Sequence, residues 1–339
     1  MQSKYRVFIL PVIVALVLLA GVFAYLGTAA FLTTLLLIIL EVTLSFDNAV
    51  VNAKVLTRMT DAWQKRFLTW GILFAVVGTR IVLPILIVSL SVMASPILIT
   101  KLALFSPAEY GHLLEGAHHA IAAFGGAFLL MVALKYFLDV EKDVHWIHVI
   151  EHHVSKLGNI ESVEMALALA LLVTFAILVP AEAATILIAG AIGLILFIAI
   201  EGVASAFDVE ADDAKAAASS GIALFLYLNL LDAAFSLDGV VGAFAITDAL
   251  PVIVIGLGVG AYFVRSLTVF LVRQKTLESL AFVEHGAHWA ILGLALSMFA
   301  SLLRPIPEIV TGLIGIVFII GSVTSSLRAR KRTPPALEA

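Results

Sequence analysis

Residues 41–51 read EVTLSFDNAVV, and they place four polar side chains inside a predominantly apolar run from Phe31 to Val55. These side chains are Glu41, Ser45, Asp47 and Asn48. A carboxylate at the centre of a membrane helix costs at least about 2.5 kcal/mol, so an acid at that depth usually serves a function. The stretch therefore predicts a membrane-spanning helix with a functional site inside it.

The same arrangement occurs a second time in residues 231–242, which read LDAAFSLDGVVG. The aligned pairs are Glu41 with Asp232, Ser45 with Ser236, Asp47 with Asp238, and Asn48 with Gly239. Because both copies lie in the middle of an apolar run, the repetition predicts two copies of one structural unit.

The composition of the chain is typical of a membrane protein. Of its 339 residues, 62% are hydrophobic and 13% are charged, whereas a soluble domain carries about 25% charged residues. Several apolar runs reach the roughly 20 residues that a helix needs to cross a bilayer. We therefore predict an all-α polytopic membrane protein. The chain has no Cys, which excludes disulfides and thiolate metal sites.

The apolar runs predict about ten transmembrane helices. Residues 163–206 form one apolar stretch that is interrupted at Pro180 and Glu182, which favours a tight hairpin, with a single span as the alternative. The predicted spans are residues 7–26, 31–55, 67–93, 113–138, 163–180, 183–206, 221–247, 250–272, 286–303 and 308–327.

The distribution of Lys and Arg places both termini in the cytoplasm, and the two motif helices then run in opposite directions. The likeness between the two halves continues downstream of the motifs. The third and eighth spans carry Arg80 and Arg265, and the fourth and ninth open with EGAHHAI (115–121) and HGAHWAI (285–291). An inverted repeat of three helices is typical of transporters, whose substrate site lies at the midplane between the repeats.

We accordingly predict a single transmembrane domain over residues 1–330, in the cytoplasmic membrane and surrounded by the lipid bilayer. It would contain repeat one at about 31–140, a connecting hairpin at about 163–206 and repeat two at about 221–303. Residues 331–339 are predicted to be a disordered cytoplasmic tail.

The polar side chains of both motifs are candidate metal ligands, because carboxylate, hydroxyl and amide oxygens suit cations such as magnesium, calcium and manganese. Glu41 and Asp47 lie about 240° apart around an unbroken helix, so an interruption near residues 45–48 would be needed to turn Asp47 toward Glu41. The alternative is an unbroken helix whose acids pair with Arg80 and Arg265. The candidate ligands are Glu41, Ser45, Asp47, Asn48, Asp232, Ser236 and Asp238.

A second set of residues could gate the path or relay protons. Each Arg could neutralise the acids when no cation is bound, or could equally brace helices through backbone carbonyls. Two His residues could serve as relays, His288 with Asp47 and His118 with Asp238, or could only anchor helix ends. The whole set comprises Arg80, Glu115, His118, Arg265, His285 and His288.

The predicted cytoplasmic loop from Asp139 to Glu164 holds several His residues among acids. His145, His148 and His152 have the spacing of one helix face, which is compatible with a weak metal sensor. A solvated acidic loop is the favoured interpretation of this segment.

On the two motifs, the chain resembles the TerC family of integral membrane proteins, named for tellurium resistance. EVTLSFDNAVV is similar to that family's first signature and LDAAFSLDGVV to its second, and the likeness covers about Phe31 to Leu303. The chain departs from the pattern at Gly239, where many signatures show Asn. The resemblance implies manganese export within the lysine-exporter superfamily of inverted three-helix repeats. The residues that it implicates are Glu41, Asp47, Asp232 and Asp238.

The expected function is secondary-active export of a divalent cation, with manganese favoured, driven by a proton or sodium gradient. The alternatives are export of an amino acid or small organic cation, and a membrane scaffold for a metal-stress (tellurite-resistance) complex with a cytoplasmic stress-response partner. No enzyme activity, tightly bound cofactor or nucleic-acid partner is expected, because the sequence lacks a Walker loop, a Rossmann glycine pattern and an HExxH motif. The coupling ion and the oligomeric state are not determined by the sequence.

Overall fold

The computed structural model describes residues 6–57, 59–140, 144–160, 162–208, 214–273 and 280–332. Within these ranges the regular structure is helical and contains no β-strand, so the predicted all-α fold is confirmed. The α-helices are α1 (Arg6–Leu44), α2 (Phe46–Thr57), α3 (Asp61–Leu73), α4 (Leu83–Ser91), α5 (Pro96–Phe105), α6 (Pro107–Gly116), α7 (His118–Phe137), α8 (His148–Ser155), α9 (Val163–Leu178), α10 (Ala183–Asp208), α11 (Ala214–Ile246), α12 (Leu250–Arg273), α13 (Val283–Ser301) and α14 (Glu308–Arg332).

The helices have the lengths and composition of a polytopic membrane protein. Among the described residues, seven helices are long and apolar enough to cross a membrane, or eight if the bent pair His148–Gly158 and Val163–Leu178 counts as one span. The sequence predicts about ten spans. The two numbers differ because α1 includes the first two predicted spans and because α9 and α13, with 16 and 19 residues, do not qualify alone.

Helix α1 reverses direction at Gly27, where φ is 86° and ψ is −177°. The rings of Phe23 and Phe31 are 5.9 Å apart, although eight residues of straight helix would separate them by about 12 Å. Ala15 and Ile38 also belong to one buried cluster. The two halves of α1, on either side of Gly27, are therefore antiparallel helices. They correspond to the predicted span 7–26 and to the first part of the predicted span 31–55.

The backbone angles at Gly27 lie in a region that is essentially restricted to glycine, so we expect Gly27→Ala to destabilise the protein by about 1–3 kcal/mol. A Cβ on this residue would meet no atom within 4 Å, so the loss would come from backbone strain and not from a clash. The measurement is the thermal midpoint of the detergent-purified protein. The matched control is Gly21→Ala, which also has open space around it but a helical backbone. Equal midpoints for the two variants would contradict the reversal.

A second hairpin joins α9 and α10, as predicted. Helix α9 ends before Val179, and a short 3-10 turn from Pro180 to Glu182 leads into α10. A Cβ on Gly190 would lie 2.2 Å from a methyl carbon of Leu172, so the two helices pack closely side by side. Since these residues lie at similar distances on either side of the turn, α9 and α10 are antiparallel.

The contacts between the two predicted repeats are reciprocal. The motif-bearing part of α1 packs on α12, α11 packs on the π-helix Phe74–Val82, and α7 packs on α13. Glycines permit the closest approaches: a Cβ on Gly256 would lie 2.6 Å from Leu37 Cβ, and a Cβ on Gly260 would lie 2.5 Å from Glu41 Cβ. This order of contacts makes α12 parallel to the second half of α1, which agrees with an inverted arrangement of repeats.

The described fold contains further helices besides the three main helices of each repeat. Between α4 and α7 the chain forms α5 and α6, and Ser95 caps α5 by accepting a hydrogen bond from the backbone N–H of Leu98. Helix α14 packs on α13 and continues to Arg332. Residues 331 and 332 of the predicted disordered tail are therefore helical, and the rest of the tail lies outside the described residues.

Candidate functional site

The first motif has a one-residue irregularity at Ser45, which is smaller than the interruption that would turn Asp47 toward Glu41. Helix α1 ends at Leu44 and α2 begins at Phe46, with Ser45 between them. The backbone N–H of Ser45 still donates to the Glu41 carbonyl at 3.0 Å, and that of Ala49 donates to the Ser45 carbonyl at 3.2 Å. In the second copy α11 runs without a break past Gly239. Packing of α11 against neighbouring helices outweighs the flexibility of one glycine.

The two motifs cross each other inside the helix bundle. Asn48 Nδ2 donates a hydrogen bond to Asp232 Oδ1 at 2.8 Å, over a sequence separation of 184 residues. At the reciprocal pair, a Cβ on Gly239 would lie 3.5 Å from Glu41 Oε2. The fourth aligned position of each motif therefore faces the first aligned position of the other. This antiparallel crossing brings Glu41 and Asp232 to one region of the protein.

Glu41 is paired with Arg80, and both side chains are buried. Arg80 Nη2 donates to Glu41 Oε1, and Ser45 Oγ donates to the same oxygen at 3.2 Å. Arg80 Nη1 also donates to the backbone carbonyl of Ala75 and to Thr79 Oγ1. Arg80 therefore does both things that the sequence leaves open, because it neutralises an acid and also binds a carbonyl.

Asp232 has the equivalent partner in Arg265, at an Nη2–Oδ2 distance of 3.5 Å. Arg265 Nη1 donates to the Phe67 carbonyl at 3.1 Å, and its guanidinium carbon lies 4.0 Å from the centre of the Phe67 ring. Both charged side chains are buried. The second pair is looser than the first because Asp232 also accepts from Asn48 and because Arg265 is held by Phe67.

The two Arg residues lie in different kinds of helix. Arg80 is part of the π-helix Phe74–Val82, whereas Arg265 lies in the regular helix α12. π-helical turns often occur at functional sites because the extra residue redirects side chains. Here the π-helix also presents Thr79, whose Oγ1 accepts a hydrogen bond from Ser236 Oγ at 3.2 Å. The sequence contains no pattern that predicts a π-helix.

Two buried amides next to the motifs were missed by the sequence analysis. Asn52 lies one helical turn beyond Asn48 in α2, and Asn229 lies just before Asp232 in α11; they are 2% and 1% exposed. Among the described residues, the side-chain oxygen of each is buried without a hydrogen-bond partner. Amide side chains within an apolar helix are themselves a signal, because a buried polar group is costly unless it is paired.

The predicted relay residues lie near helix ends. His118 Nε2 lies 3.3 Å from the Ser301 carbonyl. His288 Nδ1 lies 2.8 Å from the Glu284 carbonyl, and its ring stacks on Tyr136 at 3.6 Å. These contacts are those expected of residues that anchor helix ends. The predicted pairing with Asp47 and Asp238 stays a prediction, because the side chains of both acids lie outside the described part of the structure.

Glu115 and His285, the remaining members of that set, have different surroundings. Glu115 is exposed near the end of α6, with His112 at 3.8 Å. His285 is buried, and its Nδ1 lies 2.8 Å from Glu151 Oε2.

Glu151 anchors the segment 144–160 to α13. Its carboxylate is 1% exposed. It accepts from the backbone N–H groups of Trp146 and Ile147, each at 3.2 Å, and from Trp289 Nε1 at 2.9 Å, besides its contact with His285. The interpretation of this loop as solvated is therefore wrong for Glu151, because four polar partners make its burial favourable. Sequence spacing does not reveal a partner 134 residues away.

Helix α8 also carries His148, His152 and His153. Lys156 is the main cause of a lowered pKa at His152, to which burial and the neighbouring His148, His145 and His153 also contribute.

No group of three or more His, Asp or Glu side chains is arranged to hold a metal ion in the part of the chain that the structure describes. This part includes Glu41 and Asp232 but not the side chains of Asp47 and Asp238. The convergence of all four motif acids therefore stays a prediction.

We expect Glu151→Gln to release the segment 144–160, because a neutral amide cannot accept from all four partners and a hydrogen bond to a charged group contributes about 1.5–3 kcal/mol. The measurement is the rate at which a protease cleaves this segment in detergent-purified protein. Glu164→Gln, at the half-exposed start of α9, is the matched control. If both variants are cleaved at the wild-type rate, Glu151 is not the anchor.

Comparison with known proteins identifies a family but no characterised relative. A family model described as "Protein of unknown function (DUF475)" matches residues 46–333, which include the second motif, both Arg residues and the Asp-Asn pair of the first motif. No curated protein and no solved structure matches the chain.

Proposed function

The chain belongs to the DUF475 family of proteins of unknown function, and we propose that it is a secondary-active membrane transporter that exports a divalent metal cation, with manganese favoured. One observation carries the proposal. Two copies of an acid motif cross inside a bundle of apolar helices, where Asn48 of one copy binds Asp232 of the other. Buried intramembrane acids of this kind mark ion pathways in transporters.

The charge balance of the motifs suits a divalent cation. Four motif acids and two Arg residues carry a formal net charge of −2. A cation of charge +2, or two protons, would neutralise this set, and a site that alternates between them would couple export to a proton gradient. A sodium gradient is the alternative driving force. The residues counted are Glu41, Asp47, Asp232, Asp238, Arg80 and Arg265.

The donor atoms suit a hard or borderline cation. Carboxylates, the Ser45 and Ser236 hydroxyls and the amide oxygens of Asn52 and Asn229 are all oxygen ligands. Such ligands favour magnesium, calcium and manganese over softer metals. Because the two amide oxygens are buried and have no hydrogen-bond partner within the described part of the chain, a cation would also satisfy groups that are otherwise costly to bury.

The Arg residues would act as exchangeable counterions. When no cation is bound, Arg80 and Arg265 neutralise Glu41 and Asp232. A divalent cation would compete with both guanidinium groups for the carboxylates. The pair with the longer distance, Asp232 with Arg265, would release first, whereas the contacts of Arg265 with Phe67 would hold the freed guanidinium in place.

The inverted arrangement of repeats supplies a route for alternating access. Transporters built from inverted repeats expose a central site to each side in turn by moving one repeat against the other. The resemblance of both motifs to TerC signatures supports cation efflux and is the reason for favouring manganese. We place the protein in the cytoplasmic membrane with both termini in the cytoplasm, because this orientation puts nearly all Lys and Arg inside.

Two other functions differ from this one in what they require. An exporter of an amino acid or small organic cation needs an apolar pocket beside its charged contacts, whereas a metal site needs only converging oxygens. A scaffold for a metal-stress complex would bind a cytoplasmic partner and would not need the buried acids to be charged.

We expect Asp47→Asn and Asp238→Asn each to abolish export, because the amide keeps the shape of the side chain but removes a charge that the divalent cation requires. Glu41→Gln and Asp232→Asn should have the same effect. Cells expressing each variant are loaded with manganese, and the retained metal is measured together with the amount of folded protein. Asp61→Asn, at the exposed start of α3, is the matched control and should export normally. Wild-type export by all four motif variants would refute the metal site and favour the scaffold.

Isothermal titration of the purified protein tests the choice of ion. We expect manganese to bind more tightly than magnesium or calcium, because manganese forms stronger bonds with mixed oxygen ligands. Titration with lysine and other organic cations is the parallel measurement. Saturable binding of an organic cation without binding of any divalent metal would establish the alternative transporter.

A further inference from the structure

Three imidazole rings lie together on α8 and the residues before it, outside the membrane motifs. The ring centres of His145 and His148 are 5.8 Å apart, those of His145 and His152 are 5.9 Å apart, and those of His148 and His152 are 5.3 Å apart. His148 and His152 are one helical turn apart on α8, and their rings are nearly parallel. His145 precedes the helix and completes a compact triangle.

The size of this triangle matches a metal site. With metal–nitrogen distances of about 2.0–2.1 Å, three imidazole rings on one tetrahedral zinc ion have centres about 5.3 Å apart. The three observed separations, 5.3–5.9 Å, are close to this value. We propose that His145, His148 and His152 bind one divalent transition-metal cation of the borderline class, such as zinc or cobalt, at a site separate from the membrane motifs.

A second observation at His145 points to a ligand. Its Nε2 is buried and has no hydrogen-bond partner among the described residues. A buried polar atom without a partner costs free energy, and a metal ion in the triangle would remove that cost. In their present orientations the three described rings do not form a group that could hold a metal ion. Binding therefore requires the rings to rotate, for which the exposed ring of His148 and the half-buried ring of His152 have room.

The anchor at Glu151 holds the backbone of the triangle in place. Trp146 and Ile147, which donate their N–H groups to Glu151, lie between His145 and His148 in the chain. The same carboxylate binds His285 and Trp289 of α13. His145, which precedes α8, is therefore held close to His148 and His152 of α8 before any metal binds. This preorganisation lowers the entropic cost of binding. A metal on the triangle would in turn strengthen the attachment of this segment to repeat two.

The ligand type separates this site from the proposed transport site. Imidazole nitrogens bind zinc, cobalt, nickel and copper more strongly than manganese. The triangle would therefore respond to metals other than the favoured transport substrate. It carries no carboxylate in its ligand set, so a bound cation would retain its positive charge and keep open positions for water.

The test uses the full-length protein, purified in detergent and stripped of metal, and titrates it with zinc alone and with cobalt alone. The double variant His148→Gln with His152→Gln should lower zinc affinity by at least about tenfold, since loss of even an outer partner of a metal site has that effect. Cobalt should give the intense visible absorption of a four-coordinate ion in the wild type and lose it in the double variant.

The matched control is His153→Gln, which lies on the same helix but points its Nδ1 at the Val149 carbonyl, 2.6 Å away. This variant should bind zinc and cobalt as the wild type does. The proposal is overturned if the double variant keeps wild-type zinc affinity, or if His153→Gln loses as much affinity as the double variant. If the double variant elutes as an aggregate, His148→Gln alone is compared with His153→Gln by the same criteria. Manganese export by the double variant is measured in parallel, so that failure of this site and failure of the transport site give different results.

Discussion

The negative charges of the buried acids in the two motifs must be paired with positive charges, and this requirement constrains how the helices are arranged. Glu41 and Asp232 are 5% and 6% exposed, and each faces an Arg from the following span of its own repeat. Removing one partner of a buried ion pair costs about 3–5 kcal/mol, because the other charge is left without compensation. The second and third predicted spans are therefore held together by charge, as are the seventh and eighth. Asn48 then links the two halves by binding Asp232.

Close packing between helices keeps these charges away from lipid. Helices in a bilayer are not driven together by the hydrophobic effect, so small residues that allow close approach and polar contacts decide which faces meet. In α12, Gly256 and Gly260 accept Leu37 and Glu41 of α1 at distances that a larger residue would not allow. Gly125 and Gly126 of α7 have the same role against α13. Glycines thus allow the acid of the first motif to pack directly against α12.

The two copies of the motif are similar in sequence but differ in structure. The first copy has a one-residue interruption at Ser45 and a π-helix that carries Arg80, whereas the second copy lies on unbroken α-helices. In the first copy Ser45 shares the Glu41 oxygen that binds Arg80, and in the second copy Asn48 and Arg265 share the carboxylate of Asp232. Equivalent residues of the two motifs therefore lie in inequivalent surroundings.

The sequence by itself determined the all-α class, the apolar segments and the repetition of the acid motif, because all three depend on composition and on spacing along the chain, and it favoured the hairpin near Pro180 over a single span. It also identified Arg80 and Arg265 as residues that could pair with the acids in place of a metal ion. Only the tertiary structure decided that the first two predicted spans reverse at Gly27, and it alone revealed the π-helix, the bond from Asn48 to Asp232 and the burial of Glu151 against α13. Hydropathy is continuous through Gly27, and the other three features depend on which helices become neighbours. Contacts between residues more than 100 positions apart leave no periodic signal in the sequence, because each is set by the packing of whole helices and not by local preference.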